Sequence, residues 1–222
     1  MHFGLRGPGH LSAAFGPPPA ATGVPANTVA PSIGGIRTVG QTLTANPGVW
    51  TQFPTGYAYA WKKAGVANGT TTQTYVLQPG DAGAAIACAV TASNGFGSTT
   101  ASSSAVTPAA ALAISGSPAT TGVSGAAYSF TPGVSGGHAA YGFSLSGALG
   151  TSGLSFNAAT GALTATALGP AGTYGLFTIA VTDADGLTQS LAPFSIAVSG
   201  GGGGGSGAGQ ARGFLLLLTK AS

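Results

Sequence analysis

The sequence predicts an all-β protein: two consecutive β-sandwiches with extended Gly/Pro-rich terminal arms. Three observations carry this expectation. Short apolar and aromatic runs recur along the middle of the chain, several of them alternate with a period of two, and Gly, Pro and Asn-Gly pairs separate them. No segment holds a helical period for more than a turn or two. With 44% hydrophobic residues the 222-residue chain can form two cores, which excludes disorder for its middle.

Four segments follow in order. Residues 1–23 form an arm containing "GPPPAATG", a composition that favours extended or polyproline-like backbone. Residues 24–108 form a first β-rich unit. In "TGYAYAWKKAG", Tyr57, Tyr59 and Trp61 share one face, with Ala58, Ala60 and Lys62 on the other. "AAIACAVTASNG" places Ile86, Cys88, Val90 and Ala92 together in the same way. "RTVGQTLTA" and "QTYVLQ" supply further strands, and Asn68-Gly69 and Asn94-Gly95 supply turns.

Residues 109–199 form the second unit, joined through the short "TPAAALA" around Pro108. Its strand candidates are "AAYSF", "AYGFSLSG", "GLSF", "GALTATAL", "GTYGLFTIAVTD" and "APFSIAVS". The inward sets are Tyr141, Phe143 and Leu145, then Phe177, Ile179 and Val181, then Phe194, Ile196 and Val198. Six or seven short strands in about 90 residues is the spacing of a β-sandwich. Residues 200–222 are a Gly-rich tether ending in the apolar run "FLLLL".

Charge narrows the function classes. Charged residues make up 4% of the chain, against about 25% in ordinary proteins. Glu is absent, and the only acids are Asp81, Asp183 and Asp185. Six scattered bases are too few to neutralise a row of phosphates, so no nucleic-acid partner is expected. Cys88 is the only cysteine and can form no intrachain disulfide; its place in an alternating apolar strand makes it a core thiol. The N-terminal stretch lacks the apolar stretch of a secretory signal, and "FLLLL" is too short to span a bilayer. The expectation is synthesis in a host cytoplasm without membrane insertion.

The first unit resembles a bacterial and phage immunoglobulin-like repeat. The string "PANTVAPSIGG…VGQTLTANPGVW…YAYAWKKAG…TYVLQPGDAGAAIACAVTASNGFGS" carries the likeness across nearly the whole unit. By that resemblance Trp61 takes the place of the strand-C tryptophan and Cys88 that of the strand-F cysteine. Leu43 stands where a disulfide-bearing domain has its other cysteine, and Ile86 where the corner tyrosine would be. A disulfide and a tyrosine corner are therefore both missing, and packing must supply the stability. The second unit resembles the Ig-type, cadherin-like repeat of bacterial surface and phage structural proteins, through "YSF", "YGFSLSG", "GLSFN", "TGALT", "GTYGLFTIAVTDADG" and "FSIAV".

Candidate chemistry is sparse. Asp183 and Asp185 in "VTDADG" are the only close carboxylates and hence the calcium candidates. Calcium takes six or more oxygens, and Asp and Gly also occur in turns for backbone reasons. His2, His10 and His138 show no ligand spacing, and no catalytic residue, cofactor site or phosphate loop is expected. Trp50, Phe53 and Phe96 lie near turns and are the candidate glycan contacts.

The tails suggest attachment. A free apolar run in water is a liability, so Phe214, Leu215, Leu216, Leu217 and Leu218 read as an assembly anchor on a reaching tether. A surface with few charges also lets many copies crowd together. The resemblance, with these features, implies a non-enzymatic phage virion structural protein: a capsid decoration, head fibre or tail component. Its expected partners are other virion proteins, copies of itself and host-surface glycans. The alternatives are a bacterial surface adhesin module and a carbohydrate-binding accessory module.

Overall fold

The computed structural model describes residues 20–201, and the candidate anchor Phe214–Leu218, with His2 and His10, lies outside them. The chain packs as two compact units. Among the described residues, one comprises 20–114 with two later segments, Val134–Tyr141 and Thr182–Gln189; the other comprises Ser115–Gly133, Gly142–Val181 and residues 190–201.

The first unit begins with nine strands: β1 (Asn27–Val29), β2 (Ser32–Gly34), β3 (Thr42–Asn46), β4 (Val49–Trp50), β5 (Gly56–Lys63), β6 (Val66–Ala67), β7 (Thr74–Val76), β8 (Ile86–Asn94) and β9 (Gly97–Ser102). They form a β2-β3-β7 sheet, a β6-β5-β8-β9 sheet and a separate β1-β4 ribbon. The pairing of β5 with β8 sets Trp61 opposite Cys88, Tyr59 opposite Val90 and Tyr57 opposite Ala92. Each of these residues therefore points to the same face as its partner, as the alternation requires.

From Tyr59 to Trp61 that face is the core. Leu43, Trp61, Leu77, Ile86, Cys88, Val90 and Ala92 are essentially inaccessible to water. Leu43 and Cys88 lie in one apolar cluster, so the sandwich is held by packing. Trp61 stacks on Tyr75 with ring centroids 5.4 Å apart, and its indole N–H donates to the Thr72 carbonyl at 2.9 Å. Gly48, at φ 79°, lets the β1-β4 ribbon close, because a Cβ there would lie 2.1 Å from the Val29 carbonyl oxygen.

The later strands are β10 (Ala113–Ser115), β11 (Thr121–Val123), β12 (Tyr128–Phe130), β13 (Gly133–Ser135), β14 (Gly142–Ser146), β15 (Ser155–Phe156), β16 (Leu163–Ala165), β17 (Gly172–Thr182), β18 (Thr188–Ser190) and β19 (Phe194–Ser199). One sheet has the order β11-β19-β17-β14 with β18 beside β17, and another the order β12-β16-β15. β11 runs parallel to β19, whereas β17 is antiparallel to it.

The second unit's core gathers Leu163, Phe177, Ile179, Val181 and Ile196, all fully buried. Phe177 packs against Phe194 at 5.7 Å between ring centroids. The register of β17 shifts between Gly175 and Phe177. A Cβ on Gly175, at φ 94°, would lie 2.5 Å from the Phe177 ring, so glycine here lets that ring lie back along its own strand.

Candidate functional site

The polar residues of the first unit collect in two places. The first is centred on Asp81, which is 2% exposed in the 3₁₀ turn Pro79–Asp81. Its Oδ2 accepts the Tyr75 hydroxyl at 2.6 Å and the Gln78 backbone N–H at 2.8 Å. Lys63, at the end of β5, places its Nζ 3.2 Å from Oδ1 and also donates to the Gly80 carbonyl. Burial pushes the Asp81 carboxyl up, but the Tyr75 hydroxyl, the Gln78 N–H and Lys63 outweigh it and hold the group below its ordinary value. Burial and the Asp81 hydrogen bond together push the Tyr75 phenol up to about 12. Tyr75, on β7, thus ties down the turn that precedes β8.

The second place holds the only His/Asp group with metal-ligand spacing among the described residues: His138, Asp183 and Asp185, with ligand atoms all within 4.8 Å of one another. Asp183 sits at the turn after β17 and is buried. Its Oδ1 accepts the Asp185 and Leu187 N–H groups at 3.0 and 2.9 Å, and its Oδ2 accepts the His138 N–H at 3.1 Å. Burial raises the Asp183 carboxyl, yet the three backbone N–H groups and the nearby His138 hold it below its ordinary value. Asp185 takes the remaining role, with Oδ2 2.6 Å from His138 Nδ1. Thr38 Oγ1 lies 3.4 Å from the same nitrogen, and Arg37 lines the same groove.

This donor set is short of the six or more oxygens that calcium takes: one of its two carboxylates is engaged by backbone donors, and the third group is an imidazole. Asp183 is a staple that closes the turn and ties it to His138. Cys88 is fully buried, and burial pushes its thiol up, away from the thiolate form.

The aromatic candidates separate. Trp50 is 9% exposed and its indole N–H donates to the Pro47 carbonyl at 2.7 Å, so it belongs to the core and leaves the glycan-contact set. Phe53 is 54% exposed and Phe96 60% exposed. Asn94 brings their two loops together: its Nδ2 donates to the Gly23 carbonyl at 2.9 Å and the Gln52 carbonyl at 2.7 Å, and its Oδ1 accepts the Phe96 N–H at 2.9 Å. Tyr57, at the start of β5, is 41% exposed at the same end of the sheet, next to the pairing of Gly56 with Ser93.

The described residues thus form two all-β units built from short, mostly antiparallel strands. Residues 110–199 match the family described as Putative Ig domain. No curated protein matches the chain. Among solved structures it is similar to the I-band fragment I67-I69 from titin, with 14% identity, a TM-score of 0.45, and coverage of 79% of this chain and 66% of that one. It is also similar to three N-terminal domains of the Highly Immunogenic Outer Capsid protein of bacteriophage RB49, with 15% identity, a TM-score of 0.38, and coverage of 78% and 59%. The eight N-terminal Ig domains of Down Syndrome Cell Adhesion Molecule give 18% identity and a TM-score of 0.45, over 77% of this chain and 27% of that one. The chain thus spans less than two thirds of each of these structures.

Proposed function

We propose that this protein is a non-enzymatic structural or adhesion module, and specifically a phage virion component. In this reading it is made in the host cytoplasm and attached to the capsid or tail through its terminal arms, from which its Ig-like domains project. The observation that carries the non-enzymatic part is the Ig-like fold, whose modules typically serve as scaffolds. The use of Asp81 and Asp183 as internal hydrogen-bond acceptors supports it. The virion part is supported by the resemblance of residues 24–108 to phage and bacterial Ig-like repeats. It is supported further by a charge content of 4% and by the apolar run Phe214–Leu218 beyond a Gly-rich tether.

The test compares the full chain with one ending at Ser199, by light scattering and by co-sedimentation with purified virions. The proposal expects the full chain to self-associate or sediment with particles and the shortened chain to do neither. Identical monomers that both ignore particles would remove the C-terminal anchor and the virion assignment with it.

A further inference from the structure

The end of the first unit where β5 begins carries an unusual surface. All three exposed large aromatic residues among the described residues, Phe53, Tyr57 and Phe96, are at this end. Val24, 47% exposed, joins them: a Cβ on Gly97 would lie 3.0 Å from its Cγ1, which places it beside the loop that carries Phe96. Rings left in water at one point of a small domain are more informative than the same rings scattered singly.

The backbone beneath them is held fast. Gln52 and Phe53 have φ of 61° and 47°, two consecutive non-glycine residues in the left-handed region. Such a pair persists only where its surroundings determine it, and here they do. The Gln52 Oε1 accepts the Thr22 N–H at 2.8 Å, its carbonyl is held by Asn94, and the Thr55 N–H donates to the Ser93 carbonyl at 2.8 Å. On this held backbone the Phe53 ring is more than half exposed.

Two quantities choose the occupant. No charged residue lies in 20–26, 47–57 or 93–98, so the surface has no electrostatic complement for an acidic polymer or a charged peptide. Its apolar area is small: roughly half of three rings of about 200 Å² each, plus part of a valine, or on the order of 300–400 Å². A stable dimer with a second copy needs roughly 800 Å² from each partner. Only a little over half of such a face is apolar, about 450 Å², and the tip falls short of it. Its area suits one to three sugar rings, whose C–H faces stack on aromatic carbon while their hydroxyls meet amides and hydroxyls such as those of Gln52 and Ser98.

We propose that the Phe53–Tyr57–Phe96 tip is a binding site for neutral polysaccharide. The inference rests on reading the chain as a display module and names what that module touches. Binding is weak for a single copy and is multiplied when many copies are presented together.

The test is affinity electrophoresis of the full chain through gels containing dextran, laminarin, xylan, galactomannan or hydroxyethylcellulose, with alginate and heparin as acidic controls. At least one neutral polymer should retard the wild type. The F53A/F96A double variant should lose that retardation, with apparent affinity reduced tenfold or more. F96A alone should lose part of it, F53W should keep it, and L176A, which changes an exposed apolar residue in the other unit, should leave it unchanged. The proposal is overturned if none of the neutral polymers retards the wild type, if only the acidic ones do, or if F53A/F96A or, should that variant not fold, F96A is retarded like the wild type. Co-sedimentation of F53A/F96A with virions separates the two claims: attachment without polysaccharide binding shows the tip variant acting alone, and polysaccharide binding by a wild type that never attaches to virions overturns the virion reading only.

Discussion

The two ends of β5 treat their side chains in opposite ways. At the Lys63 end, polar groups are drawn inside and matched: Asp81 is buried and accepts from Tyr75, Gln78 and Lys63. At the Tyr57 end, apolar rings are left outside, on loops whose polar groups are used to hold the backbone. A Lys, an Asp and a Tyr in one cluster ordinarily suggest chemistry, and an exposed Phe ordinarily suggests nothing. Here the burial and the hydrogen bonds reverse that expectation: the charged cluster serves the fold, and the rings are free to meet a partner.

Substitutions of buried groups sharpen this contrast, beginning with the greatest effect. Trp61→Ala empties the centre of the first core and should cost about 4 kcal/mol, read as a lowered urea midpoint with little change in slope. Asp81→Ala strands the buried Tyr75 hydroxyl and removes the Lys63 partner. Because Lys63 is 39% exposed, its share is screened and the expected loss is about 2–3 kcal/mol. Asp183→Ala releases three backbone N–H groups at one turn and should cost about 2 kcal/mol, by the same measurement.

The pH dependence marks the matched polar groups further. Asp81 and Asp183 are both held below the ordinary carboxylate value, so their contribution is present above pH ~4 and is lost as pH falls through their folded values. Tyr75 is raised to about 12, so its contribution is complete below pH ~10 and is lost as pH rises from there towards 12. Urea midpoints taken across pH 9–12 should fall in the wild type and fall less in Tyr75→Phe. An equal fall in both would place the alkaline sensitivity elsewhere.

The same contrast governs how much could be read from the residues alone. The alternation in "TGYAYAWKKAG" and "AAIACAVTASNG" specifies β5 and β8 and their inward faces, because burial of one face demands a period of two. β9, "GSTTAS", carries no such signal: it is a polar strand bordering only β8, and its hydrogen bonds come from that neighbour. The two- and three-residue strands β1, β2 and β4 are likewise set by partners distant in sequence. At the candidate site, Phe53 and Phe96 are legible as loop aromatics, but Trp50 is not separable from them. Its burial depends on the β1-β4 ribbon and on the Pro47 carbonyl. Asp81 gives no local sign either, since Tyr75 and Lys63 reach it from different strands.

The most direct measurement of the contrast is the urea unfolding of the F53A/F96A double variant beside the wild type. Rings that face water contribute little to folding, so the two curves should coincide within about 0.5 kcal/mol. A loss of about 2 kcal/mol or more would show that the rings belong to the core, and the claim that this end is a free binding surface would fail.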